Sequence, residues 1–174
     1  MNVEKLRSSP AWLAIRDRFY ETLDGEACIR EVSELVEREV LRVLSDAVKD
    51  PASATGQALS RVALYACGGF GRSELYPCSD IDLVFVHAPD ASSEALRAAV
   101  RPVTQALWDL GLEPSHSVRS MLEVSQFQAG NTELYLSLLD ARPLAGAASL
   151  LLSFEKARAQ LLREKRDRIA GRLF

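Results

Sequence analysis

The sequence is poor in the residues that build disulfide frameworks, zinc cages and membrane spans. It has three cysteines, Cys28, Cys67 and Cys78, none of them in a Cys-x-x-Cys pair. An odd count without pairing motifs argues against a disulfide framework, and free thiols suit a reducing compartment. Of the two histidines, His87 and His116, neither stands at zinc-site spacing from a cysteine pair. No apolar run approaches the ~20 residues that cross a bilayer. The polar start, Met-Asn-Val-Glu-Lys, lacks the basic and apolar regions of a secretory leader. The expectation is a cytoplasmic protein with no membrane contact. Charge of one sign is also scarce: 21 Lys and Arg stand against 24 Asp and Glu, so the net charge of -3 creates no global field for nucleic acid. The cluster from Lys156 to Arg168 contains Glu164 and no aromatic residue, which reads as a solvated helix face.

Apolar residues make up 48% of the chain, enough for a sizeable core in one domain. Pro10 opens a helical stretch whose stripe runs through Trp12, Leu13, Ile15, Phe19 and Leu23. Asp24-Gly25 breaks it, and a longer helix from Glu26 to Val48 carries apolar residues at three- and four-residue steps. Residues 50–59 are small and polar and read as a loop. Val62 to Cys67 and Asp80 to His87 read as strands. Ser92 or Ser93 caps a helix to about Leu110, with Gly111 ending it. Leu112 to Val118 reads as a third strand, followed by helices over Met121–Gln128, Thr132–Leu139 and Ala147–Ile169. This order predicts an α+β (α/β) layer: a helical arm over residues 1–50, a core over 58–146, and a C-terminal helix over 147–174. Trp12 and Trp108 are expected in helix packing and His87 at the surface. His116 is expected to be either structural or substrate-facing.

The chemistry concentrates between Ala66 and Leu83. Gly68, Gly69 and Gly71 follow the first strand directly. Glycine lets backbone amides approach phosphate oxygens with no Cβ between them. The stretch is not a Walker A loop, since no Gly-Lys-Ser/Thr follows, and it does not fit the dinucleotide-binding fingerprint. Asp80 and Asp82 come next, two residues apart on a strand and therefore on one face. Two neighbouring carboxylates repel unless a cation lies between them. Mg²⁺, with Mn²⁺ as an alternative, suits two carboxylates and the oxygens of a triphosphate.

Together, Gly68-Gly69 and Asp80-Ile81-Asp82 resemble the signature of the nucleotidyltransferase superfamily related to DNA polymerase beta. The full run Gly-Gly-Phe-Gly-Arg-Ser-Glu-Leu-Tyr-Pro-Cys-Ser-Asp-Ile-Asp-Leu resembles the catalytic stretch of bacterial PII-protein uridylyltransferases, the bifunctional uridylyltransferase/uridylyl-removing enzymes. Two later segments, Gly111–Arg119 and Leu138–Gly146, resemble the same family in the same order, so the likeness spans about residues 60 to 150. Glutamine-synthetase adenylyltransferases share the layout, but their flanking residues fit less well. The resemblance implies a small mixed sheet of the nucleotidyltransferase type. It also implies that Gly68 and Gly69 bind the triphosphate of UTP and that Asp80 and Asp82 bind Mg²⁺ and carry catalysis. Ser79 would contact phosphate or fix the entry to the strand, and Arg72 and Glu74 would either form a structural salt bridge within the loop or act on phosphate, with Glu74 orienting Arg72. The acceptor would be a tyrosine of a PII-type nitrogen-signal protein.

Superfamily members usually add a third carboxylate from a later strand. Here Ser115 falls where the adenylyltransferases would have it, and Glu113 is the nearest replacement, with Asp140 as another unless it caps a helix or pairs with Arg142. The family's enzymes continue into a hydrolase domain of the HD type and glutamine-sensing domains, so this chain is expected to be part of a longer protein. Two other readings stay open: nucleotidyl transfer to a different protein or small molecule, and a non-catalytic nucleotide-binding regulatory module.

Overall fold

The computed structural model describes residues 5–126 and 132–173. After a short 3₁₀ turn at Leu6–Ser8, helix α1 runs Pro10–Thr22 and α2 runs Gly25–Val48. Ser9 caps α1 by accepting from the Trp12 amide, and Asp24 caps α2 by accepting from Ala27. A short helix α3, Ala54–Leu59, follows where the sequence suggested only loop. Six residues are too few to show a helical period. The structural causes are Ser53, which caps Gly56, and Leu59, which is buried.

Strand β1 is Val62–Cys67, the glycines form a single helical turn α4 at Gly68–Gly71, and β2 is Ile81–His87. Helix α5, Ser93–Asp109, is capped by Ser92. Strand β3 is Pro114–Ser120, two residues later than expected at each end. The shift has a packing cause: Leu112 is buried in the core and its amide donates back to Leu107, so pairing starts only at Pro114. Helix α6 covers Met121–Ser125; the expected continuation through residues 127 and 128 lies outside the described residues. Helix α7 is Thr132–Leu139 and α8 is Ala148–Leu173. Between them lies a strand the sequence did not announce, β4, Arg142–Ala145. It is four residues long and contains Pro143, a combination tolerated at a sheet edge.

The sheet order is β3-β2-β1-β4, with β1 antiparallel to both β2 and β4 and β2 parallel to β3. A mixed sheet between helical layers therefore stands as the sequence suggested. Strand alternation divides the core in two. Leu64, Ala66, Ile81, Leu83 and Phe85 face α2, α3 and α5. Ala63, Tyr65, Cys67, Val84 and Val86 face α6, α7 and α8. Each fully buried large apolar side chain contributes roughly 1.5–3 kcal/mol, so both layers hold the sheet. Trp12 packs partly on the first cluster as expected. Trp108 does not: it is 52% exposed, on the outer side of α5. His87 is also corrected. It is buried, its Nδ1 lies 2.7 Å from the Ala88 carbonyl and its Nε2 lies 3.2 Å from Ser93 Oγ.

Candidate functional site

The site forms where β1 ends in the glycine turn and β2 begins. Gly68 has φ +57°, and a Cβ built on it would stand 2.8 Å from Asp82 Oδ2. The turn and the carboxylate therefore touch, and only a residue without a side chain fits between them. Gly71 is closed in as well, since a Cβ there would meet the Asp140 carbonyl at 2.0 Å. Asp80 is exposed just before β2, and Asp82 is half-buried on it. Burial, then the Asp80 charge, holds the Asp82 carboxyl above the ordinary carboxylate range, opposed by a hydrogen bond from Ser115. A paired carboxylate that disfavours its own ionisation is one a cation relieves. The donor set, hard oxygens beside an open turn, fits Mg²⁺ or Mn²⁺ with triphosphate oxygens completing the shell.

Arg72 is tied on both sides. Its Nε donates to Glu74 at 2.8 Å and its Nη1 to Asp140 at 2.6 Å. Asp140 therefore pairs with Arg72, not with Arg142. The Arg72 Nη2 lies 4.0 Å from the Cβ position of Gly69, so a cationic nitrogen remains beside the turn. Ser79 sits in the approach to β2, where its amide donates to the Tyr76 carbonyl. Glu113 stands directly before β3, where its carbonyl accepts from the Ile81 amide. It is exposed and lines a separate hollow with Lys5, Arg7 and Trp108. The neutral Ser115 is the register partner of Asp82. Among the described residues no three His, Cys, Asp or Glu side chains gather as a metal cage. His116 pairs with Leu83 in register and meets Phe85 edge-on at 6.4 Å, so its ring lies on the face away from Asp82. Cys67 is buried under the site, its thiol pushed up to about 12 by burial and then by the Asp82 and Asp140 charges. It is no nucleophile at neutral pH.

Three positioning residues escaped the sequence reading. Arg142 on β4 donates from Nε to the Gly71 carbonyl at 3.1 Å and from Nη2 to the Phe70 carbonyl at 3.3 Å. The same Nη2 lies 2.7 Å from Glu37 Oε2 on α2. Ser33, also on α2, accepts from the Leu75 amide at 2.8 Å and donates to the Ile29 carbonyl at 2.8 Å. The loop from Gly68 to Leu75 is thus pinned from α2 and β4. A serine within an otherwise apolar stripe was the one available signal.

Beyond Asp82, between β3 and α7, the surface sinks into a cleft of about 260 Å³ lined by Cys67, Ser115, Ser117, Arg119 and Ser137. Comparison with known proteins places the sequence in a family. The family profile described as "Putative nucleotidyltransferase DUF294" matches residues 14–129. The bifunctional uridylyltransferase/uridylyl-removing enzyme of Bordetella avium (strain 197N) is 38% identical over 156 residues, 88% of this chain and 17% of that protein. The enzyme of the same name from Nitrosospira multiformis is 34% identical over 146 residues, 81% of this chain and 15% of that protein. The chain thus spans about one sixth of the length of these relatives. A solved structure, "Crystal structure of the toxin-antitoxin with AMP-PNP", aligns with 77% of this chain and 93% of its own at 14% identity and a TM-score of 0.44. With two thirds of its length matched and its glycine turn set against paired aspartates, the chain belongs to the DUF294 nucleotidyltransferase family, related in sequence to the bifunctional uridylyltransferase/uridylyl-removing enzymes.

Proposed function

We propose that the chain binds UTP with Mg²⁺, or Mn²⁺ in its place, and transfers UMP to a tyrosine hydroxyl of a PII-type signal protein, releasing pyrophosphate. The observation that carries this reading is the contact between the Gly68 turn and the Asp82 carboxylate, with Asp80 beside it. The name shared by the relatives supports uridylyl as the group moved. Gly68 and Gly69 would offer backbone amides to the triphosphate, with Arg72 and Ser79 adding donors, while Asp80 and Asp82 hold the metal. When bound, the ion neutralises charge on the attacking and leaving oxygens. The protein's own part is positioning: the turn fixes the polyphosphate, and Glu74 and Asp140 fix Arg72. The account needs no third carboxylate from Glu113. The transferase core would be residues 58–146, the helical arm 1–50, and residues 147–174 would lead toward a downstream region. Three free cysteines fit a cytoplasmic setting.

The test is label transfer from α-labelled UTP to purified PII with Mg²⁺, run with this chain and with the same domain inside a full-length relative. Asp80→Asn and Asp82→Asn should each lower transfer by about 100-fold or more. Transfer that survives both substitutions would sink the proposal, and swapping nucleotide and acceptor in the same assay identifies another transferase. A second reading, a nucleotide-binding regulatory module, draws on the neutral Ser115 opposite Asp82. It predicts tight UTP binding without turnover in the full-length protein.

A further inference from the structure

The cleft beside Asp82 has a wall that the transfer reaction leaves unused. Ser115, Ser117 and Arg119 alternate along β3, so all three belong to the face that carries Asp82. Arg119 pairs with Val86, four residues beyond the Ser115–Asp82 rung, or ~13 Å along the strand. Among the described residues its Nε is buried with no acceptor, and its side chain lines the cleft. Among the described residues its ion pair is a 3.5 Å contact from Nη1 to Glu123. Glu123 is engaged elsewhere, accepting from the Ser120 amide at 2.7 Å and from Ser120 Oγ at 3.1 Å in the capping box of α6. Among the described residues the guanidinium therefore keeps a donor without a partner inside a polar cleft, a state that a bound acceptor relieves.

We infer that Arg119, assisted by Ser117, reads the base of the bound nucleotide. The inference rests on the nucleotide-transfer reading. With the triphosphate on the Gly68 side of Asp82 and the α-phosphate at Asp82, the nucleoside extends away from the turn into the cleft. The cleft follows β3 from Asp82 to Arg119, so a nucleotide with its α-phosphate at Asp82 directs its base toward Arg119. Arginine has donors only. One of its donors placed at position 4 of the ring matches the O4 carbonyl of uracil and is repelled by the exocyclic amine that cytosine carries there. Ser117, on the same face, supplies a hydroxyl that can accept from the ring N–H.

The experiment is calorimetric titration of the chain, in Mg²⁺, with UTP, CTP and inorganic tripolyphosphate, which lacks a nucleoside. The wild type should bind UTP more tightly than CTP or tripolyphosphate. Arg119→Ala should weaken UTP about ten-fold and erase the preference over CTP, leaving tripolyphosphate unchanged. Arg119→Lys, which keeps the charge but not the planar fork, should retain tripolyphosphate binding and lose base preference. Ser117→Ala should weaken UTP about three-fold, and it keeps the test open if Arg119→Ala fails to fold. Unchanged UTP affinity and preference in the Arg119 and Ser117 variants overturns the inference. So does a parallel loss of UTP and tripolyphosphate, which would make Arg119 a phosphate contact. A wild type that binds both ligands equally overturns base reading alone, whereas one that binds neither overturns the nucleotide site itself.

Discussion

Gly68 and Asp82 couple backbone geometry to charge at the scale of single residues. Gly68→Ala would place a methyl 2.8 Å from Asp82 Oδ2 and hold it at φ +57°. The left-handed conformation alone costs about 1–2 kcal/mol. Denaturant unfolding should show that loss, and nucleotide binding should fall further than stability, because the carboxylate is displaced. Asp82 carries a cost of its own. Its folded carboxyl titrates above the ordinary value of 3.8, through burial first and then Asp80. The native state therefore holds the extra proton, so this group's contribution to stability is greatest below 3.8 and falls as pH rises through the raised value. Asp82→Asn removes that dependence. At neutral pH without metal it should stabilise the protein by on the order of 1 kcal/mol, the usual trade of function against stability. Unfolding measured at pH 4 and pH 7 checks both the sign and the flattening, while label transfer should be lost.

Between elements, the glycine turn depends on α2 and β4. Arg142→Ala removes two hydrogen bonds to the Phe70 and Gly71 carbonyls and leaves Glu37 without its cation. The expected cost is about 1–3 kcal/mol, with weaker nucleotide binding that Arg142→Lys restores in part. Ser33→Ala strands the Leu75 amide and should cost a similar amount. Thermal melts alongside nucleotide titration measure both. These links were not legible in the sequence, because each joins residues far apart in the chain and no local pattern announces them. What was legible had a local physical signal. Alternation and apolar runs marked β1 and β2, Ser92 marked the start of α5, and the glycine–aspartate spacing marked the candidate site that we propose. The short β4 and α3 lacked any period, and the end of β2 hid a buried His87 behind the adjacent Ala88 and Ser93. The Ser115–Asp82 rung depends on the register of β3 on β2, which no local pattern fixes.

Over the whole molecule, α2 is bound into the same fold as the site. Val32, Leu35, Val36 and Val40 of α2 are buried in the cluster that carries Ile81, Leu83 and Phe85. Deleting residues 1–50 should therefore unfold the remainder, visible as loss of cooperative melting; a folded remainder that still binds nucleotide would show that α2 is dispensable. No described helix is long and apolar enough to cross a membrane. Both faces of the sheet carry core, and the end of the second face opens into the cleft, where Cys67 and Val84 belong to core and cleft wall alike. The central claim is that the Gly68 turn and the two aspartates bind a metal–triphosphate unit. Calorimetric titration with UTP, with and without Mg²⁺, tests it in the wild type and in a folded Asp80→Asn/Asp82→Asn double variant. Mg²⁺-dependent binding in the wild type that disappears in the variant is the predicted result; equal binding in both, or binding indifferent to Mg²⁺, would contradict it.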